Sequence, residues 1–262
     1  MSIVPKLAPW LQAFLYAVVF LTRLPVARWL QKPDAQVIAR AVYFYPLVGV
    51  LLGVLLVLFA YAIAGLGVWL AAALTIAAWV VLTGALHLDG LADCMDAYYA
   101  GHKIIDPTQK RERILQVMHD PACGAVALVA LVLLLLTKVV ALASLWQQGT
   151  SLALLLVVPF LARVTILPFM ALADYARDSN QSSPATEPGT GILWLVALCY
   201  LAPMVMGFSV FTSFVLLGAL AALLIYWWRF WFTQIGGYTG DCLGALVELS
   251  ELLLLILLVA IF

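Results

Sequence analysis

The chain has 262 residues, of which 66% are hydrophobic and 10% are charged. Because an ordinary soluble domain has roughly 25% charged residues, a soluble fold is excluded. The 13 Lys and Arg residues balance 13 Asp and Glu residues, and this neutral balance gives no support to nucleic-acid binding, which needs a basic surface.

Apolar stretches follow one another along the whole chain. They cover residues 10–22, 41–63, 68–86, 122–145, 151–172, 191–207, 210–228 and 242–262. A transmembrane helix needs about 20 mostly apolar residues, and the first stretch is short for one. We therefore predict an all-α, polytopic integral membrane protein with about seven or eight transmembrane helices. Residues 1–262 are expected to form a single integral membrane catalytic domain.

Two kinds of connection alternate between these stretches. The short connections near residues 64–67, 146–150 and 207–209 are uncharged, whereas those near residues 23–40, 87–121, 173–190 and 229–241 hold nearly all the charge. Alternate loops lie on opposite sides of a membrane, so the positive-inside rule predicts that the charged loops are cytoplasmic. Acidic residues share these loops although topology does not require it, which predicts a functional site on that face.

The densest polar motif follows the third stretch, from His87 to Asp96. On a helix, Asp89, Asp93 and Asp96 have the spacing i, i+4, i+7 and share one face. The repulsion between three stacked carboxylates must be offset by positive charge, and oxygen ligands suit Mg²⁺ or Mn²⁺. The pattern predicts a divalent metal site, with an acidic helix end that faces water as the alternative.

A glycine-rich motif, residues 236–245, precedes the last stretch. A glycine-rich turn at a helix N-terminus can bind phosphate oxygens. Asp241 and Glu248 are seven residues apart on one helical face, which places Glu248 about 10 Å into the membrane. Acids at such depth are functional or paired. Pairing with Lys138 or Arg163 is therefore the structural alternative, and the deeper Glu251 is expected to tolerate neutralisation best.

The longest polar loop ends in a third motif that contains Arg111, Arg113, His119 and Asp120. Arginine is suited to bidentate contacts with phosphate. A basic cluster opposite an acidic metal site fits a diphosphate substrate, although a topology signal explains the two arginines nearly as well.

Several of these motifs carry a family resemblance. The segments involved are Phe20–Val26, Phe44–Gly49, Thr83–Asp93, Glu112–Leu115 with Met118–Asp120, and Gly236–Asp241 with Glu248 and Glu251. In this order they resemble the cobalamin synthase family, the adenosylcobinamide-GDP ribazoletransferases. The resemblance implies a multi-pass enzyme of the cell inner membrane that requires Mg²⁺. It also implies the substrates adenosylcobinamide-GDP and α-ribazole or its 5′-phosphate, with GMP as the released product.

Residue roles follow from the motifs and the resemblance together. The residues assigned to metal binding are Asp89, Asp93, Asp96, Asp120 and Asp241. Those assigned to substrate binding are Arg23, Arg111, Arg113, His119, Gly237, Thr239 and Gly240. Those assigned to catalysis are Asp96, Glu248 and His87.

Two other functions are compatible with a membrane protein of this kind. A CDP-alcohol phosphotransferase of lipid synthesis also places aspartates at i, i+4 on a membrane helix, but its signature differs after Ala92. A cation-coupled transporter would place ionisable residues near the bilayer midplane, whereas most acids here crowd one face. The lipid bilayer is an expected partner, nucleic acid is not, and a homo-oligomer is left open.

Overall fold

A computed structural model describes residues 8–172, 174–176, 191–205 and 207–262. The regular structure in this part of the chain is helical, which confirms the all-α prediction. The helices are α1 Pro9–Leu21, α2 Ala35–Ala41, α3 Tyr45–Ala62, α4 Val68–Thr83, α5 Leu86–Gly101, α6 Pro107–Val117, α7 Ala125–Gln147, α8 Leu154–Val164, α9 Ile166–Leu172, α10 Gly191–Cys199, α11 Ala202–Val205, α12 Val210–Ile235 and α13 Gly240–Ile261. Most of the charged connection near 173–190 lies outside the described residues.

The helices confirm a multi-pass membrane protein but not the expected seven or eight spans. Within the described ranges, five segments are long and apolar enough to cross a membrane: Ala35–Ala62, Ala125–Gln147, Leu154–Ala171, Val210–Ile235 and Gly240–Ile261. A bent pair, α4 with α5, raises the number to at most six. Helix α1 has 13 residues, and at 1.5 Å per residue its length is about 20 Å, less than the roughly 30 Å of a hydrocarbon core.

The predicted span at residues 68–86 ends in a sharp break. Helices α4 and α5 meet at 87°, because Gly84 and Ala85 both adopt left-handed backbone conformations, with φ of 61° and 58°. The backbone N–H of Ala85 donates to the Val80 carbonyl at 3.0 Å, which satisfies the end of α4. As a result, the acidic motif lies on a separate helix and does not continue α4 through the bundle.

Helices α3 and α8 pack in close backbone contact through two glycines. A Cβ atom added to Gly49 would lie 2.7 Å from Phe160 Cα, and one added to Gly53 would lie 2.7 Å from Leu156 Cα. Small residues four positions apart allow membrane helices to approach in this way. The spacing of Gly49 and Gly53 therefore fixes where α3 meets α8.

The buried apolar side chains form two clusters, one towards each end of the bundle. The first cluster includes Val247 of α13 and Leu134 of α7. The second includes Leu254 of α13 and Ala141 of α7. The helical positions between these pairs lie in the middle of the bundle, where the two clusters meet.

The α3–α8 contact gives a stability prediction. Gly53→Ala should lower the stability of the protein by about 1–3 kcal/mol because the new methyl group meets the α8 backbone. The matched control is Gly218→Ala on α12, where the Cβ would meet nothing within 4 Å, and which should gain up to about 1 kcal/mol from helix propensity. Thermal unfolding of both variants in the same detergent measures the difference. Equal melting temperatures would contradict the assigned contact.

Candidate active site at the contact of two motif helices

The acidic motif on α5 and the glycine-rich motif on α13 pack directly against each other. A Cβ atom added to Gly90 would lie 2.8 Å from the Asp241 carbonyl oxygen, and one added to Gly244 would lie 3.3 Å from His87 Cα. The glycines thus allow the two backbones to approach where each helix carries an acid. Motifs about 150 residues apart in sequence therefore contribute to one site.

A cavity of about 160 Å³ opens beside this contact. Asp89 of α5 and Asp241 of α13 both line it, together with His87 and Gly240. Asp89 is exposed, Asp241 is half-buried and His87 is buried. The exposed acid therefore marks the mouth of the cavity, and the buried His87 lies deeper. The remaining lining residues are Phe20, Leu21, Tyr45, Leu86, Gly90, Ile166, Met170, Tyr175, Tyr238, Leu243 and Gly244.

The turn before α13 is held by side-chain and backbone hydrogen bonds. Thr239 is fully buried; its hydroxyl accepts a hydrogen bond from the Cys242 N–H at 3.4 Å and contacts Asp241 Oδ2 at 3.2 Å. The Tyr238 N–H donates to the Asp174 carbonyl at 3.0 Å, and Gly237 packs against that same carbonyl. In this structure, Thr239 and Gly237 shape the turn, and their predicted substrate contacts stay predictions.

The other three predicted metal ligands lie away from the cavity lining. Asp96 accepts hydrogen bonds from the backbone N–H groups of Gly124 at 2.5 Å and Ala127 at 3.2 Å, at the N-terminus of α7. Asp120 is exposed and accepts from the Ala122 N–H at 3.0 Å. Asp93, like Asp241, interacts electrostatically with the buried Cys94 thiol.

Among the described residues, no group of three or more His, Cys, Asp or Glu side chains is arranged to hold a metal ion. The structure brings Asp89 and Asp241 to one cavity and places Asp96 and Asp120 elsewhere. The metal role of each of these acids stays a prediction.

The predicted basic residues make different contacts. Arg111 donates to the Ile235 carbonyl at 3.0 Å and to the Ala176 carbonyl at 2.8 Å, so it joins three charged loops at one end of the bundle. Arg113 is exposed and donates to Gln116 Oε1 at 2.9 Å. The exposed Arg23 packs its side chain over Gly84, beside the α4–α5 break. His119 is also exposed.

A buried ion network joins the middle of α7 and the middle of α13 to the C-terminal end of α8. Lys138 Nζ of α7 lies 2.5 Å from Glu248 Oε2 and 2.6 Å from Glu251 Oε2, both on α13. Arg163 of α8 pairs with the other carboxylate oxygen of Glu251. The four residues are at most 5% exposed. Their two positive and two negative charges cancel, which offsets the cost of placing charge inside the membrane.

This network is the structural alternative that the sequence left open for the two glutamates. Glu251 contacts both cations and Glu248 contacts one, so Glu251 is the more constrained acid, contrary to the expectation that it tolerates neutralisation best. Glu248 is not among the residues that line the cavity with Asp89 and Asp241. Its predicted catalytic role stays a prediction.

Sequence reasoning did not identify the aromatic wall of the cavity. Phe20 and Tyr45 stack with ring centroids 6.2 Å apart, and Tyr175 and Tyr238 meet edge-on at 5.5 Å. A signal was available, since Phe20, Tyr45 and Tyr238 each lie within a motif that carries the family resemblance. Tyr175 had no such signal.

Comparison with known proteins agrees with the family resemblance of the sequence motifs. The family model described as Cobalamin-5-phosphate synthase matches residues 13–259. The chain is 42% identical over 251 residues to the adenosylcobinamide-GDP ribazoletransferase of Pseudomonas paraeruginosa, covering 94% of this chain and 97% of the relative. It is 40% identical over 242 residues to the protein of the same name from Pseudomonas putida, covering 91% and 95% respectively. No solved structure matches the chain.

The ion network gives a prediction about folding. Glu248→Gln leaves one uncompensated buried positive charge, which should cost about 3–5 kcal/mol. The double variant Lys138→Met/Glu248→Gln leaves Arg163 with Glu251 as a neutral pair and should recover most of that loss. The melting temperature and the yield of folded protein in detergent are measured for the wild type, the single variant and the double variant. A double variant no more stable than Glu248→Gln would contradict the charge balance described here.

Proposed function

This chain belongs to the cobalamin-5-phosphate synthase family, and we propose on that basis that it is the adenosylcobinamide-GDP ribazoletransferase of cobalamin biosynthesis. The reaction transfers the adenosylcobinamide-phosphate group of adenosylcobinamide-GDP to α-ribazole or α-ribazole 5′-phosphate and releases GMP. The observation that supports this site is the meeting of Asp89 and Asp241 at one cavity. The family match also favours this function over a lipid phosphotransferase or a transporter.

The proposed chemistry is a single displacement at phosphorus. The 3′-hydroxyl oxygen of ribazole forms a bond to the phosphorus that carries the corrinoid's aminopropanol arm. The bond from that phosphorus to the bridging oxygen of the diphosphate breaks, and GMP leaves with the electron pair. The hydroxyl proton passes to a carboxylate of the site. Such a reaction depends mainly on positioning and on stabilisation of charge.

The residues at the cavity fit a bound Mg²⁺. Magnesium sites of phosphotransfer enzymes commonly use one or two protein carboxylates, with substrate phosphates and water as the other ligands. Asp89 and Asp241, which line one cavity from two helices, supply such a pair. A magnesium ion bound there would neutralise negative charge on the diphosphate oxygens.

The three residues assigned to catalysis do not all lie at this cavity. Of the three residues assigned to catalysis, His87 lines it, whereas Asp96 is bonded to the start of α7 and Glu248 to Lys138. The folded Lys138→Met/Glu248→Gln variant tests the last assignment. Release of GMP by that variant at the wild-type rate would remove Glu248 from the catalytic set.

We also propose that the site faces the cytoplasm from the inner membrane. The contacts of Arg111 with Ile235 and Ala176 support the placement of three charged loops at one end of the bundle. Because these three connections hold six of the 13 Lys and Arg residues and the short uncharged connections hold none, the positive-inside rule orients that end towards the cytoplasm.

The proposed metal site predicts the effect of two neutral substitutions. Asp89→Asn and Asp241→Asn should each lower the rate of GMP release by a factor on the order of 100 or more, without loss of folded protein. Asp106→Asn is the matched control, because Asp106 caps α6 through its Oδ1 atom and asparagine can also cap a helix. Removal of Mg²⁺ with a chelator should abolish wild-type turnover. Wild-type rates for either cavity variant at saturating Mg²⁺ would refute the assignment.

The proposed orientation is tested by reporter fusions. Fusions at residues 105, 180 and 235 should all report a cytoplasmic location, since each lies in a charged connection or at its border; position 180 lies outside the described residues. A periplasmic signal from any one of the three would contradict a single charged face.

A further inference from the structure

Asp96 of α5 holds the start of another helix, α7. One of its carboxylate oxygens accepts a hydrogen bond from the Gly124 N–H at 2.5 Å, and the other accepts from the Ala127 N–H at 3.2 Å. Gly124 immediately precedes α7, and Ala127 is the third residue of that helix. The first N–H groups of a helix have no acceptor within it and need one from outside. Asp96 supplies the acceptor for two of them.

These two bonds are the same pair that a capping box makes. In a capping box, the side chain before the helix accepts from the third helical N–H, and the side chain at that third position accepts from the N–H before the helix. In α7 these two positions are Gly124 and Ala127, and neither residue type has a side-chain acceptor. A carboxylate is favourable there because a helix N-terminus carries partial positive charge. Asp96 thus replaces a local capping box from a separate helix.

The glycine at position 124 leaves room for this carboxylate. A Cβ atom added to Gly124 would lie 2.7 Å from Asp96 Oδ1 and 3.0 Å from Asp96 Oδ2, so any side chain there would displace the carboxylate. The backbone of Gly124 is extended, with φ of −82° and ψ of 167°, a conformation open to every residue type. The requirement for glycine therefore comes from the fit to Asp96 and not from the backbone angles.

Asp96 shares a face of α5 with an acid that lines the cavity. Asp89 precedes it by seven residues, so the two side chains leave the helix about 10 Å apart and within about 20° of one direction. A helix anchored through one side chain cannot rotate about its axis without breaking that contact. Near Asp89, α5 is also held where Gly90 packs against the Asp241 backbone. One contact to α13 and one to α7 together fix both the position and the rotation of α5.

We propose that Asp96 is a positioning residue for the transfer reaction, which caps α7 and thereby fixes the direction in which Asp89 faces the cavity. The inference rests on the proposed function, and it removes Asp96 from the metal-binding and catalytic groups to which the sequence assigned it. Both carboxylate oxygens of Asp96 accept from backbone N–H groups, and Asp96 is not among the residues that line the cavity. The role needs a side-chain oxygen acceptor and does not need a negative charge.

The experiment compares asparagine with alanine at position 96 in the full-length enzyme. Asparagine keeps one side-chain oxygen and caps helices about as well as aspartate, so Asp96→Asn should keep kcat per folded enzyme within about fivefold of the wild type. Asp96→Ala should lower kcat by a factor on the order of 100, as expected when a reacting group is misplaced by about 1 Å. The KM values for both substrates should stay unchanged. The Mg²⁺ concentration for half-maximal rate should also be unchanged in Asp96→Asn, whereas loss of a metal ligand would raise it.

Two further variants test the contact from its other side and control for the loss of a cap. Gly124→Ala leaves Asp96 in place but displaces its carboxylate, so kcat should fall as it does in Asp96→Ala. Asp34→Ala is the control, because Asp34 caps α2 by accepting from the Val37 N–H at 2.7 Å, and α2 carries none of the residues assigned to the site. This control should lower the melting temperature without lowering kcat per folded enzyme.

Hydrogen exchange measures the cap without turnover. In the enzyme without substrate or metal, the backbone N–H groups at the start of α7 should exchange at least about tenfold faster in Asp96→Ala and Gly124→Ala than in the wild type, because they lose their acceptor. Asp96→Asn should protect them to an intermediate degree. Exchange along the rest of α7 should stay the same, and the comparison remains informative if Asp96→Ala yields too little folded protein for kinetics.

The outcomes distinguish the inference from the proposed function. A folded Asp96→Asn enzyme as inactive as Asp96→Ala would show that the charge of Asp96 takes part in the chemistry, and would overturn the inference. A wild-type kcat for folded Asp96→Ala would also overturn it, because the cap would then contribute to stability alone. Unchanged exchange at the start of α7 would refute the cap itself. Absence of GMP release from the wild type would instead refute the proposed function, and hydrogen exchange would still test the contact of Asp96 with α7.

Discussion

The buried ion network is the constraint on which the rest of the bundle depends. Lys138, Arg163, Glu248 and Glu251 lie between the two apolar clusters, at the level where one gives way to the other along α7, α8 and α13. An isolated charge at this depth is costly, and the four charges cancel only when all three helices are in register. The network therefore fixes the height of α13 relative to α7 and α8. Trp79 of α4 adds a further contact, with its ring centroid 5.3 Å from Lys138 Nζ.

The position of α13 determines the geometry of the candidate site at its N-terminal end. Once α13 is fixed, Gly90 and Gly244 allow α5 to approach it at backbone distance, and the 87° break after α4 directs α5 to that contact. Asp89 and Asp241 consequently line one cavity although neither helix alone could form it. Glycine has the same function at the α3–α8 contact, where Gly49 and Gly53 remove the side chains that would separate the helices.

Sequence patterns were informative about the fold class and about which motifs meet. The fold class depends on the apolar composition, and the motifs consist of residue types that have few alternative roles at such positions. The apolar stretches predicted a helical membrane protein, and the acidic and glycine-rich motifs, which were assigned to one site, lie at one cavity in the structure. The break at Gly84 and Ala85 was not predictable from hydropathy, since it arises from two backbone angles within an apolar run. The helical spacing placed Asp89, Asp93 and Asp96 on one face, but it could not show that Asp96 caps α7, a helix that begins 29 residues later. Partners of Lys138 and Arg163 likewise depend on tertiary packing.

The ion network also has a consequence for biosynthesis. The ribosome delivers α7 and α8 to the membrane well before α13, since Glu248 follows Lys138 by 110 residues and Glu251 follows Arg163 by 88. Until the C-terminal helix emerges, both cations lack the carboxylates that neutralise them in the finished fold. The growing chain must therefore keep these two helices hydrated, or shielded by the insertion machinery, during translation of the intervening segments. A chain that stops before residue 248 therefore keeps both cations without the carboxylates that pair with them in the complete fold.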